Sequence, residues 1–158
     1  MPIGDAAGSM TNILFVCTGN MVRSPFAELY ARHLGCPLPV LSAATIFRND
    51  EIYALTASAL LSRGVAKESI IEFRPRHLDD LGFPLDEGTV AFGMTLDHLR
   101  ALADRGMPQN RMFLLTEVLG RADEIRDPVL DGEEFAPVFD MIARCVEALV
   151  DGLRGVPP

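Results

Sequence analysis

The stretch Asn12-Ile13-Leu14-Phe15-Val16 running into Cys17-Thr18-Gly19-Asn20-Met21-Val22-Arg23-Ser24-Pro25 leaves this chain few ways to fold. Five residues of strand character, mostly apolar, stop abruptly at a cysteine. Ser24-Pro25 then opens a segment with helical periodicity, and proline suits the first helical turn because the N–H it lacks has no partner there. A strand, a tight loop and a helix start in immediate succession open a strand–helix–strand unit, the building block of a parallel sheet.

The loop carries its own chemistry. A loop that wraps onto a helix start aims several backbone N–H groups at one spot, and the helix dipole adds partial positive charge there. Gly19 is expected to supply torsions that a side chain would resist. Arg23 offers a planar fork for two oxygens of an anion held by the amides. Cys17 lies below that cradle, and the same field favours its thiolate, the nucleophilic form of cysteine. The Ser24 hydroxyl adds to that stabilisation, and Asn20 is the natural brace, since its side chain can bond to neighbouring backbone.

Downstream, apolar Phe26, Leu29, Tyr30 and Leu34 mark one face of a helix over 24–34, ended by Gly35 and Pro37. Strands are expected over 39–44, 89–94 and 111–115, and helices over 54–63, 96–105 and 135–153. Thr95 is placed to cap the helix that starts at Leu96. Residues 65–85 are the least regular, with a short helix expected over 75–81. Alternating strands and helices with right-handed crossovers give an α/β fold, a three-layer doubly wound sandwich around a four-stranded parallel sheet. Ligands of such sheets bind beyond the C-terminal strand ends, where the loops after the first and fourth strands are expected to meet.

Composition narrows the function. With 22 acidic and 14 basic residues, the net charge of −8 argues against nucleic acid or an anionic membrane surface as partner. An anion site must then be made locally, as the loop makes it. Cys17, Cys36 and Cys145 have no paired or metal-like spacing, which suggests a reducing cytoplasm. Cys36 and Cys145 read as small packing residues, and His33, His77 and His98 as surface or helix residues. Neither a metal nor another cofactor is implied. Residues 1–11 lack a basic start and an apolar run and read as a flexible Gly/Ala-rich tail before a single domain over 12–154.

A thiolate can attack phosphorus unaided, but the leaving oxygen needs a proton. Asp127 sits in the long loop after the fourth strand, and Pro128 restricts its backbone to extended torsions, fixing the carboxyl. Of the acids in the chain it is the best candidate for general acid.

Val16-Cys17-Thr18-Gly19-Asn20-Met21-Val22-Arg23-Ser24-Pro25-Phe26-Ala27-Glu28 resembles the active-site signature of the low-molecular-weight protein tyrosine phosphatases, a family of flavodoxin-like fold. Ser42-Ala43-Ala44-Thr45 resembles that family's segment after the second strand, and Asp127-Pro128 its late general acid. Arg76-His77-Leu78 and Phe92-Gly93-Met94 resemble its middle. The resemblance implies hydrolysis of phosphotyrosine or other aryl phosphates without a metal. Cys17 would form a phosphocysteine, Arg23 would bind the phosphoryl oxygens, and Asp127 would protonate the leaving phenol and then activate water. Thr18, Gly19, Met21 and Val22 would complete the cradle, with Ser24 on the thiolate and Asn20 and Ser42 holding the loop.

The chain also departs from the family. Val22 stands where many relatives have a second cysteine, leaving Cys17 open to over-oxidation. Met21 replaces the threonine of the protein-arginine phosphatases, which favours phosphotyrosine over phosphoarginine. Val129 and Leu130 replace the tyrosines that often wall the pocket, so Phe47 and Val129 become the expected substrate wall. A thioredoxin-coupled arsenate reductase would need cysteines between Cys36 and Cys145, where this chain has none. A non-catalytic oxyanion-binding protein of the same fold remains the alternative.

Overall fold

A computed structural model describes residues 2–155. Strands β1 (Asn12–Cys17), β2 (Val40–Ala44), β3 (Thr89–Gly93) and β4 (Met112–Leu114) form one sheet in the order β2-β1-β3-β4. All its pairings are parallel, with Phe15 opposite Ser42 on one side and Phe92 on the other. Helices α1 (Ala6–Ser9), α2 (Arg23–His33), α3 (Ala54–Ser62), α4 (Lys67–Glu72), α5 (Leu96–Asp104) and α6 (Phe135–Arg154) complete the element order. This is the expected three-layer α/β sandwich.

The two faces of the sheet follow from the period of two along each strand. Ile13, Phe15 and Cys17 of β1 and Val90 and Phe92 of β3 join the larger core with Phe26 of α2 and Phe139, Ile142 and Leu149 of α6. Leu14, Val16 and Ala91 point the other way, to Leu78 and to Leu102 of α5. β1 is therefore buried on both sides, and Cys17 emerges at its end toward the α2 face.

Three segments differ from expectation. Residues 2–11 are not a flexible tail: they include α1, and Ile3, Ala7 and Met10 are buried in the larger core. Only Ala7 of the three lies in α1, with Ile3 in the turn before it and Met10 in extended backbone just after it, so the burial has no simple sequence period. Residues 65–85 include α4, anchored by buried Ile70 and Phe73, and a 3-10 turn over Leu78–Asp80. β4 stops at Leu114, where a 3-10 turn over Leu115–Leu119 begins, its start held by Leu114 N–H donating to Glu117 Oε2 at 2.7 Å.

The chain leaves β1 toward β2 and later returns across β1 to β3, so the winding reverses between β1 and β3. The loop after β3 consequently borders the site along with the loops after β1 and β4.

Candidate active site

The loop after β1 turns its carbonyls outward. Cys17 O accepts from Thr45 N–H (2.9 Å), Thr18 O from Ile46 and Phe47 N–H (both 3.2 Å), Met21 O from Tyr53 N–H (3.1 Å) and Val22 O from Phe26 N–H (3.2 Å). Gly19 O accepts from Asn49 Nδ2 at 2.9 Å. In a trans peptide the N–H of the next residue points opposite to the carbonyl, so the amides of Thr18, Gly19, Asn20, Val22 and Arg23 face the concave side. That concavity lies where the sequence places an anion cradle.

Asn20, not Gly19, takes the left-handed conformation, with φ 52°. Asparagine tolerates this region because its short polar side chain can bond locally. Here Asn20 is fully buried, donates to Ser24 Oγ and Ser42 Oγ at 2.9 Å each, and accepts from Arg76 N–H at 2.9 Å. The expectation that Gly19 supplies the special torsion is thus corrected. At Gly19 a Cβ would sit a tight 3.1 Å from Asn49 Nδ2, so the Asn49 side chain would have to give by a few tenths of an ångström.

The brace extends deeper. Ser42 Oγ donates to Glu28 Oε1 at 2.7 Å, and Glu28, 1% exposed, also meets Arg76 Nη1 at 3.2 Å and Arg32 Nη2 at 3.0 Å. A carboxylate this buried is tolerable only because two guanidiniums and a hydroxyl compensate it. Glu28 and Arg76 lay within the motifs quoted above, but their pairing across 48 residues has no local signal.

Cys17 Sγ lies 2.8 Å from Ser24 Oγ and 3.4 Å from Ser24 N, which donates to it. Arg23 is almost wholly buried; its Nη1 donates to Ile125 O at 2.7 Å, and its Nη2 lies 3.3 Å from Thr18 Oγ1 and 3.4 Å from Asp127 Oδ2. Asp127 Oδ1 is occupied in its own turn, accepting from Val129 N–H at 2.8 Å. The turn's hydrogen bonds, together with the proline, fix the carboxyl and leave Oδ2 toward Arg23.

One pocket of about 230 Å³ gathers Cys17, Thr18, Gly19, Met21, Val22 and Arg23 with Asp127. Phe47, Tyr53, Val129 and Leu130 give its rim apolar side chains, and Arg48 and Asn49 also line it. Phe47 and Val129 are where the sequence put a substrate wall. Tyr53 was not foreseen; it reaches the rim from the start of α3 and stacks on Phe135 of α6, with ring centroids 5.6 Å apart. Asn20, Ser24 and Ser42 lie beneath the pocket as buried supports.

His98 also belongs to the site. It is 2% exposed, and its Nε2 is 3.0 Å from Thr18 Oγ1. Burial, reinforced by the positive Arg23, pushes its pKa down to about 3. His77 is buried as well, capping the 3-10 turn through Nδ1, which accepts from Asp79 N–H at 3.1 Å. Both were expected to be surface or helix residues; His98 does lie on α5, but neither histidine is at the surface. The remaining cysteines behave as packing residues: Cys145 is fully buried and its thiol is pushed up to about 11 by burial, while burial also raises Cys36.

Comparison with known proteins gives one answer. Residues 12–155 match the family model described as low molecular weight phosphotyrosine protein phosphatase. The low molecular weight protein-tyrosine-phosphatase PtpB of Staphylococcus epidermidis is 29% identical over 153 residues, covering 90% of this chain and 96% of that one. A low molecular weight phosphotyrosine phosphatase from Vibrio cholerae O395 superposes with a TM-score of 0.73 at 25% identity, covering 92% of this chain and 97% of the other. The fold is shared with the YwlE arginine phosphatase from Geobacillus stearothermophilus, with a TM-score of 0.72 at 24% identity over 91% of this chain and 93% of that one. With the cysteine loop, the arginine and the late Asp-Pro gathered around one pocket, the chain belongs to the low molecular weight phosphotyrosine protein phosphatase family.

Proposed function

We propose that this protein hydrolyses phosphotyrosine and related aryl phosphates through a cysteinyl-phosphate intermediate. The observation that carries the reading is the convergence of Cys17, Arg23 and Asp127, separated by up to 110 residues in sequence, on one pocket that also exposes apolar side chains. The phosphoryl oxygens sit among the loop amides and on the Arg23 edge not tied to Ile125. They compete with Asp127 for Nη2, so binding frees Oδ2. Cys17 Sγ attacks phosphorus, the bond to the phenolic oxygen breaks, and Asp127 gives that oxygen its proton. Water then attacks the phosphocysteine, Asp127 takes the water's proton, and the sulfur leaves with its electron pair, releasing inorganic phosphate. Preorganised donors stabilise both transition states, so no step calls on a metal.

Met21, Phe47, Tyr53, Val129 and Leu130 contribute apolar wall beside Arg48 and Asn49, and that wall suits a flat aryl ring better than a charged guanidinium. This favours phosphotyrosine in a protein, or a small aryl phosphate, over phosphoarginine. Because the mechanism needs a reduced Cys17, a cytoplasmic setting fits, and all three cysteines are free.

Hydrolysis of para-nitrophenyl phosphate under reducing conditions tests the reading. Wild type is expected to turn over, Cys17→Ser to show no detectable activity, and Asp127→Asn to lose about 10²–10⁴-fold in kcat. Activity surviving Cys17→Ser would contradict the mechanism. A wild type that binds phosphate without turnover would mark a binding protein, and faster cleavage of phosphoarginine than phosphotyrosine would reverse the substrate assignment.

A further inference from the structure

The His98 imidazole has its proton placed by its neighbours. Nδ1 lies 3.1 Å from Met94 N and 3.0 Å from Thr95 N, and the Thr95 hydroxyl is 3.3 Å away. Backbone N–H groups only donate, so Nδ1 is the acceptor and the single proton of a neutral imidazole sits on Nε2. The Nε2–H therefore donates to Thr18 Oγ1, 3.0 Å away. Arg23 Nη2, which also only donates, is 3.3 Å from the same oxygen. A hydroxyl oxygen has two lone pairs and one proton. With both lone pairs engaged, the only unassigned element of Thr18 is its O–H.

Thr18 lines the pocket that holds Cys17, Arg23 and Asp127, in the first position after the nucleophile. A bound oxyanion is the acceptor that its O–H lacks. We infer that His98 is a positioning residue, orienting the Thr18 hydroxyl so that its proton points at a phosphoryl oxygen in the cradle; the inference rests on the phosphatase reading above. A freely rotating threonine could accept from Arg23 and donate elsewhere. His98 removes that freedom before substrate arrives, which is preorganisation of one more oxyanion donor. The depressed basicity of His98 keeps the arrangement unchanged across the ordinary working range of pH, because a protonated imidazole would have to abandon both backbone donors.

The test begins on the unmodified protein. Nitrogen NMR of ¹⁵N-histidine-labelled protein is expected to show one imidazole locked with its proton on Nε2, without titration between about pH 5 and 8. A proton on Nδ1, or a charged imidazole near neutrality, would overturn the inference. Orthovanadate affinity and turnover of para-nitrophenyl phosphate are then compared for wild type, His98→Ala, His98→Gln, Thr18→Val and the double variant His98→Ala/Thr18→Val. The first and third are each expected to bind orthovanadate about tenfold more weakly and to lose a similar factor in kcat. The double variant is expected to be no weaker than Thr18→Val alone, because His98 acts only through that hydroxyl. His98→Gln, whose amide can still donate to Thr18, is expected to recover most of the loss. Losses that multiply in the double variant, or unchanged orthovanadate binding in His98→Ala, would contradict it. If wild type hydrolyses the ester and Cys17→Ser does not while the His98 and Thr18 losses multiply, the phosphatase reading stands and this inference falls. A wild type that neither hydrolyses the ester nor binds orthovanadate would remove both.

Discussion

Asn20 combines a left-handed backbone with three side-chain hydrogen bonds, two of them fully buried, and it ties the cysteine loop to Ser24, Ser42 and the Arg76 backbone. Replacing it removes the brace and leaves buried partners unsatisfied, at about 1–3 kcal/mol for such a group. Alanine must also bear the positive φ, about 1–2 kcal/mol more. Denaturant unfolding should therefore show Asn20→Ala destabilised by about 3 kcal/mol, and Asn20→Gly by about 1 kcal/mol less, since glycine accepts the torsion. Equal losses would mean that the backbone conformation carries no strain for alanine. At this scale the sequence was legible for placement: Cys17, Arg23 and Asp127 share one pocket, and Ser24 lies against the Cys17 sulfur. It was misleading at Gly19, because composition marks a glycine but not whether torsion or space requires it. It was silent at His98, though one signal existed. Thr95 and His98 stand three apart, in the positions of a capping box that usually carries Glu or Gln, and the His98 side chain does reach back to Thr95 N–H.

The elements that hold the site are β1, α2 and α6. α2 starts at Arg23 and buries Phe26, whose ring stacks on Phe139 of α6 with centroids 4.8 Å apart, while the Arg63 guanidinium carbon lies over the Phe26 ring, 5.3 Å from its centroid. Phe139 is 3% exposed, so Phe139→Ala should cost about 3–5 kcal/mol. Thermal unfolding monitored by circular dichroism checks this, and a loss below about 1 kcal/mol would mean that α6 is not a principal support of α2. The periodicity of 135–153 and the apolar runs of β1 and β3 were readable because each element buries a simple face. α1 and α4 were not, since each is short and gains its stability from contacts with the core rather than from propensity. Tyr53 at the pocket rim belongs to the same class: its place depends on where α3 starts and on Phe135, far away in sequence.

Over the whole molecule, the sheet order decides which loops meet. The reversal of winding between β1 and β3 brings the β3–α5 loop beside the cysteine loop, and hence His98 beside Thr18. Sequence reasoning paired only the first and fourth loops, because strand order is not written in any local pattern. Burying a neutral histidine also has a global consequence. The His98 pKa falls from an ordinary 6.5 to about 3 on folding, so below about pH 6.5 the unfolded chain binds a proton that the folded one does not. Stability is then full above that pH and falls as acid is added, by up to about 1.4 kcal/mol per pH unit from this group. Denaturant midpoints measured between about pH 7 and 5 should fall for wild type and fall less for His98→Gln; parallel slopes would show that His98 is not kept neutral by the fold. The most direct test of the central claim is to quench the enzyme during turnover of an aryl phosphate and map the phosphoryl group by mass spectrometry. A phosphoryl group is expected on Cys17 in wild type and none in Cys17→Ser. A phosphoryl group on any other residue, or turnover with no phosphoenzyme at all, would contradict it.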